Sequence, residues 1–526
     1  MNYVQGRDIH DADSHLLEHP DWLKPYLSSA VGQRVPSLDL HGLEAEATQA
    51  LEEHRAGTRP IIEDAADLMT RKNWAALGAF DAAERSQALN LLGFKSQLVF
   101  STYSHLGMID HGGAATLDPE VLYEIVDGHN RGVVDFCATD QRLLPVGFVA
   151  PHLPERAIAA TQRALDLGCA GIELPSLPCG DYSLTHTAFD PLYAMLQERG
   201  RPLLFHVGGG GRLVHPTFAA TGRVPEQVHH DRETLIPSLT YMGIPAPLEM
   251  ALAALILDGV FERFPGLRCG VIEQGAIWVP GFLRRLDAAL EEFGRPRQRA
   301  SLSLSPSEYF VRQIRVTPFP FEDIEWLIHE TGPELYLFGT DYPHDEGGET
   351  PLSMFDEALE SFPNNVRDAI YWRNFEDLMA LGLPETLRVQ AVDEGSFEDD
   401  FVEDESDEIE VLRSTGESLA VHRKKVLLRL LVKEAAERYG LIASDDEVEA
   451  AVIEFRASCD LYDVDETMEW LGTAKITYES LCRVMRDSVL ADKLYLQFQD
   501  EVARNLPEQI GVATARLRRK SKTVSH

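Results

Sequence analysis

Apolar positions along this chain follow two rhythms. Through about residue 385, short apolar runs alternate with longer segments whose apolar residues recur every three to four positions. The runs are "LVF" at 98–100, "LLPVGFVAP" at 143–151, "CAGIELP" at 169–175, "PLLFHVGG" at 202–209, "LRCGVIEQG" at 267–275, "VRQIRVTP" at 311–318 and "LYLFGTDYP" at 335–343. With the stretch from Ile9 to His15 they number eight. Between them lie helical patterns such as "PERAIAATQRALDLG" and "APLEMALAALILDGVFERF". Eight strands, mostly followed by helices, predict an α/β protein built as a (β/α)8 TIM barrel. Residues 31–93 predict a mainly helical insertion after strand 1. Residues 210–245, rich in Gly, His and Pro, predict a long loop after the fifth strand, placed to act as a lid.

The rhythm changes after Leu383. The segment "VDEGSFEDDFVEDESDEIEV" at 392–411 is acidic and lacks apolar periodicity, which predicts a flexible tether. Helical spacing returns from about Ser418. It runs through "HRKKVLLRLLVKEAAERYG", closed by Gly440, and through a helix for which Ser444 is the expected N-cap. The division expected is a barrel over 1–385, an acidic linker over 386–417 and an all-helical C-terminal module over 418–526. Oligomerisation and docking of a peptide or carrier-linked substrate are the two roles the module suggests, and a tether would favour docking by raising effective concentration. A homo-oligomer, simplest as a dimer, is expected.

Charge and cysteine content narrow the classes. Asp and Glu outnumber Lys and Arg by 85 to 48, for a formal net charge of −37. That argues against nucleic acid or an anionic membrane as the main partner, since both need positive potential. The six cysteines form no CxxC pair, so a reducing cytoplasm is expected rather than a disulfide framework. The first residues, "MNYVQGRDIH", lack the pattern of a secretory signal, and no apolar run of about 18 residues stands out as a membrane span. No GxSxG or GxxxxGK[ST] motif occurs, and "GGGG" at 208–211 lacks dinucleotide-fingerprint spacing.

Candidate chemistry sits at strand ends. "HDADSHLLE" places Asp11, Asp13 and His15 at alternating positions of the first strand, so strict alternation puts all three on one face. Inward carboxylates need partners, and a divalent ion supplies one. His206 follows the apolar run of the fifth strand, Glu273 ends the sixth, and Asp341 and His344 end the last. Functional residues of barrels collect at such C-terminal ends. His105 and Arg315 are further pocket candidates. His229 and His230 read as residues of a solvated loop.

These stretches together resemble the amidohydrolase-related branch of the amidohydrolase superfamily, which includes aminocarboxymuconate-semialdehyde decarboxylase. The similar segments are "DADSHLLE", "HTAFDPLYAMLQERGRPLLFHVG", "GVFERFPGLRCGVIEQGAIWVPGFLRRLD", "LFGTDYPHDEG" and "RNFEDLMALGL", in family order over about residues 7–385. The resemblance implies one divalent ion per barrel, held by Asp13, His15, His206 and Asp341. It implies zinc first, with manganese or iron open. Two histidines of the family pattern are carboxylates here, Asp13 and Glu273, which leans the ligand set toward the harder ions. Asp341, Glu273 and His344 are the expected catalytic groups; His105 and Arg315, as pocket candidates, are expected to contact substrate.

The function expected is hydrolysis of a C–N or related bond by metal-activated water, on a small or peptide-linked substrate. One alternative is non-oxidative decarboxylation of a small aromatic or unsaturated acid. Another is a peptide-binding assembly component with little catalysis of its own.

Overall fold

A computed structural model describes residues 2–104, 118–207, 213–222, 229–230, 233–234, 238–389, 419–458, 461–473 and 477–523. Within the first of two compact units, Met1–Asp400, seven parallel strands follow one another in space: β1 (His10–Leu16), β2 (Ser96–Ser101), β3 (Leu143–Phe148), β4 (Gly171–Glu173), β5 (Leu203–Phe205), β6 (Cys269–Val271) and β7 (Ile314–Val316). Residues 336–342 close the ring. Tyr336 bridges Val316 and Tyr342 bridges Ser14, both in parallel sense. The amides of Ala12, His15 and Asp341 bond across this seam to Phe338 O, Tyr342 O and Asp13 O. The expected eight-stranded barrel is therefore closed.

Two apolar layers hold it. Ala12, Leu98, Phe100, Leu144, Val146, Leu204, Ile272 and Leu337 fill the barrel, and Phe375, Leu378 and Met379 plug its floor. The alternate strand residues, Val99, Phe148, Ile172, Phe205 and Val271 among them, face the surrounding helices. Those helices start and stop where their sequences dictate. Asp118 caps the N-terminus of Pro119–Cys137 by accepting from Glu120 N, and Gly168 ends Pro154–Leu167 with a left-handed φ of 110°.

The insertion after β1 carries the helix Glu44–Ala56, the short turns up to Asn73–Ala75, and the helix Ala82–Leu92. The region expected to be a long loop after β5 holds short helices, Pro216–Ala219 and Ser238–Gly243, and a small antiparallel ladder in which His229 pairs with Thr234. The "GGGG" run and the 392–411 tether lie outside the described residues. By length and composition alone the stretch Ser238–Leu257 is apolar enough to cross a membrane, and a third of it is buried. Its residues Leu248, Leu252, Leu255 and Ile256 are packed into the outer barrel core, while Met242 and Met250 are exposed.

The described residues of the second unit, Phe401–His526, carry four helices, Leu419–Tyr439, Asp445–Ser458, Val464–Thr473 and Tyr478–Thr523, the last kinked at Phe498. Val452, Leu471 and Leu481 form its core. Ser444 and Glu447 cap each other reciprocally at the start of the second helix, as a capping box does.

Candidate metal and active site

The first strand does not keep its alternation. His10 and Asp11 pair with Ser96 and Gln97, but Ser14 and His15 pair with Val99 and Phe100, so one extra residue of β1 is accommodated opposite Leu98. This bulge leaves Asp11 on the outer side and turns both Ala12 and the Asp13–His15 pair inward. The expectation that Asp11 shares the face of Asp13 and His15 is thereby corrected. Asp11 is a structural clasp: its carboxylate accepts from Gln97 Nε2, Thr340 N and Thr340 Oγ1.

Asp13, His15, His206 and Glu273 converge at the C-terminal mouth of the barrel, and Asp341 and His344 join them through His15. His15 Nε2 lies 3.4 Å from Asp13 Oδ1, 3.5 Å from Glu273 Oε2 and 3.4 Å from Asp341 Oδ1. His206 Nε2 lies 3.5 Å from Asp13 Oδ1 and 3.2 Å from Glu273 Oε2. Glu273 and Asp341 hold left-handed backbone angles, φ 53° and 54°, which non-glycine residues seldom adopt.

Both imidazoles present the right atom for a metal. His206 Nδ1 lies 3.1 Å from Val207 O, so that nitrogen carries the proton and Nε2 keeps its lone pair. Thr102 does the same for His15. Its hydroxyl hydrogen goes to Leu16 O at 3.0 Å, so its oxygen accepts from His344 Nε2 at 3.1 Å and, more loosely, from His15 Nδ1 at 3.4 Å. Glu18 in turn fixes Thr102, accepting from the amides of Thr102, Tyr103 and Ser104.

The electrostatics call for a cation. Burial, then the charges of Glu273 and Asp13, raise the Asp341 carboxyl well above its usual range. Burial opposes charge on His15, yet the adjoining Asp13 and Glu273 push its pKa up to about 10. Burial likewise opposes charge on Asp13, but His15 and His206 hold its pKa at about 2. His344 is driven to about 4 by burial and then by His15, so it is neutral. Asp13 Oδ1, His15 Nε2 and both carboxylate oxygens of Asp341 are buried without a hydrogen-bond partner among the described residues. Three carboxylates and two imidazole lone pairs converging within 3.2–3.5 Å are the donor set of a divalent ion. The residues present fit such an ion.

The other sequence candidates fall elsewhere. His105 lies outside the described residues, and no side chain of His229 or His230 is described. Arg315 is not at the mouth. Its guanidinium bonds Asp377 Oδ2 at 2.6 Å and the carbonyls of Val311 and Ile314, at the start of β7, on the floor side of the barrel. The alternating position that placed it on a strand says nothing of which end its long side chain reaches, and here an acidic partner on the floor helix takes it.

Two groups escaped the sequence reading. Glu173, at the C-terminal end of β4, is buried, and burial lifts its pKa to about 7. A glutamate closing a predicted strand is the same signal that singled out Glu273. The second group is Lys72, Asn73 and Trp74, which the insertion brings to the wall of a cavity of about 1540 Å3 that also borders Glu273. No periodicity marks them.

Comparison with known proteins identifies the family and the fold. The family described as amidohydrolase matches residues 11–378. A 2-amino-3-carboxymuconate-6-semialdehyde decarboxylase of Dictyostelium discoideum is 23% identical over 265 residues, which is 49% of this chain and 67% of that protein. An amidohydrolase structure from Mycobacterium avium subsp. paratuberculosis superposes with a TM-score of 0.56 at 21% identity, covering 71% of this chain and 99% of the other, and shows the same fold. A manganese-containing dihydroxybenzoic acid decarboxylase from Polaromonas superposes with a TM-score of 0.48 at 17% identity, over 74% of this chain and 99% of the other.

Proposed function

The chain belongs to the amidohydrolase family, a family of metal-dependent enzymes, and on that footing we propose that it decarboxylates a conjugated carboxylic acid without an oxidant. The Dictyostelium relative, a decarboxylase by name, carries this reading. Lys72, on the wall of the cavity shared with Glu273, is buried; burial lowers its pKa, and the charges of Asp341, Asp345, Glu349 and Glu346 oppose that.

Asp13, His15, His206 and Asp341 would hold the ion, with Glu273 beside them. When bound, it supplies positive charge that holds and polarises substrate oxygens. Three carboxylates favour a hard ion such as manganese over four-coordinate zinc.

The chain's own residues then do the proton work. Without the ion, burial and then the charges of Glu273 and Asp13 raise the Asp341 carboxyl well above its usual range. With Oδ1 beside His15, Oδ2 is the oxygen left to carry a proton once the ion is held. Asp341 gives it to the substrate carbon that bears the carboxylate. The C–C bond then breaks, its electron pair restores the conjugated system, and CO2 leaves. Neutral His344, with a donor atom within 4.8 Å of Asp341, is placed to return a proton from solvent. The hydrolytic reading uses the same cluster and differs in its products. The test is CO2 capture from metal-loaded enzyme offered ortho-hydroxylated aromatic and conjugated unsaturated acids. CO2 matching acid consumed, and lost in chelator, is expected. Amide or ester cleavage without CO2 would reverse the assignment in favour of a hydrolase.

A further inference from the structure

The loop after β7 reads "TPFPFE" at 317–322 and is braced onto the loop after β6. Thr317 Oγ1 accepts from Glu273 N at 2.9 Å. The Glu322 carboxylate accepts from Ala276 N at 2.8 Å, Ile277 N at 3.2 Å and Phe319 N at 3.0 Å. Gly275, at a left-handed φ of 63°, leaves the room that Phe319 takes: a Cβ there would come within 2.8 Å of the Phe319 ring. Pro318 and Pro320 restrict the backbone on either side of Phe319. The loop is thereby fixed against Glu273.

What this brace displays is aromatic. Phe319 and Phe321 stack, with centroids 5.3 Å apart and planes 11° apart. Tyr241, from the helix Ser238–Gly243, leans on both at 6.2 Å and 6.1 Å. All three line the cavity of about 1540 Å3 that also borders Glu273. Phe319 covers one face of Phe321, yet Phe321 is still 50% exposed. Apolar rings normally leave water on folding. A rigid loop that keeps a stack of them at the wall of a cavity offers a surface to another flat group.

The space agrees. The cavity exceeds the roughly 300–1000 Å3 of ordinary small-molecule sites. A one-ring acid held at the metal cluster would leave most of it unfilled. A longer acid would carry its far end along the wall that Glu273 shares with the aromatic stack.

We propose that Phe321, with Phe319 and Tyr241 behind it, is a stacking ledge that selects acids bearing a flat ring beyond the conjugated group that carries the reacting carboxylate. The proposal deepens the decarboxylase reading, and rests on it only for what becomes of that carboxylate.

Calorimetry on the full-length, manganese-loaded protein tests it with three probes: salicylate, 4-benzyloxysalicylate and 4-(cyclohexylmethoxy)salicylate. The benzyl ether is expected to bind about tenfold tighter than salicylate, because its second ring gains both apolar burial and stacking. The cyclohexyl ether matches it in size but has no flat face, and is expected to bind about threefold more weakly than the benzyl ether. Phe321→Ala should bring the three affinities together. Phe321→Trp, which keeps a flat ring, should restore their order. Phe321 is half exposed, so neither replacement opens the core. Equal affinity for salicylate and its benzyl ether overturns the proposal, as does binding of none of the probes. So does a cyclohexyl ether bound as tightly as the benzyl ether, or an order that Phe321→Ala leaves intact. CO2 release from salicylate with equal affinities would reject the ledge and keep the reaction. Ring-selective binding without CO2 release from any of the three acids would reject the reaction while upholding the ledge.

Discussion

His15 Nε2 and Asp341 Oδ1 stand 3.4 Å apart although they come from the first and last strands of the barrel. They meet across the seam where His15 N bonds Tyr342 O at 2.7 Å and Asp341 N bonds Asp13 O at 2.9 Å. Closing the barrel and assembling the site are therefore one event. A ligand that holds both residues also holds the seam.

From this follows a stability effect of the metal. An ion at about 100 times its Kd should raise the unfolding free energy by about 2.7 kcal/mol over protein in chelator. Manganese and chelator thermal scans of the native chain check the difference. Asp13→Asn should bind far less metal by elemental analysis, and its two scans should coincide. Identical melting of native protein with and without metal would reject the ligand set.

Asp341→Asn should keep the fold and lower turnover by about 10²–10⁴-fold, the usual scale for a positioned acid or base. An amide keeps the shape of the carboxyl and cannot pass a proton. Metal content measured on the same sample separates loss of the ion from loss of the proton donor. A rate within a few-fold of the native enzyme would remove Asp341 from the mechanism.

Much of this was readable in the chain. The eight apolar runs and the charged residues closing them mark the barrel and its mouth, because period-two burial and strand-end placement are local properties of sequence. The bulge between Asp11 and Ser14 was not readable: nothing in "HDADSHL" shows where β2 forces an extra residue. Arg315 was misplaced because strand position fixes the side chain's root and not its reach, and Asp377, 62 residues away, decides that. Lys72, Asn73 and Trp74 stayed hidden because an irregular insertion has no period from which a face can be read.

Thr102 offers a way to test how the imidazoles are held. Its hydroxyl is the contact that fixes the His15 tautomer and meets His344. Thr102→Val keeps the volume and removes that partner. Metal affinity, measured by chelator competition, should fall about 10–100-fold, the range for partners that orient a ligand. An unchanged Kd would show that the barrel backbone alone sets the histidine.

Glu173 predicts a pH effect in metal-free protein. Burial raises its carboxyl from 4.5 to about 7, so the folded state binds the proton more tightly than the unfolded chain does. Its stabilising contribution is complete below about pH 4.5 and is lost as pH rises through about 7. A shift of this size corresponds to about 3 kcal/mol. Glu173→Gln carries no such titration. Urea melts of the two proteins in chelator should diverge between pH 5 and pH 8, with the variant relatively more stable at the higher pH. Parallel pH profiles would mean that Glu173 keeps its charge in the fold.

The barrel should stand without the C-terminal helices, and its floor says where the chain can end. Phe375, Leu378 and Met379 are at most 1% exposed and pack against the residues that fill the barrel. Leu383 and Leu387 extend that plug, and all five precede Asp400, the last residue of the compact unit. A chain cut after Asp400 loses none of them. It should bind the same metal per chain and melt within a few degrees of the full protein. A chain cut after Trp372 loses all five. Burying each of Phe375, Leu378 and Met379 is worth about 1.5–3 kcal/mol. Those three alone sum to roughly 5–9 kcal/mol, against a total domain stability of about 5–15 kcal/mol. The shorter chain should therefore be largely unfolded by circular dichroism. If the longer truncation also unfolds, the helical unit contributes to the barrel's stability, and the boundary at Asp400 is not a folding boundary.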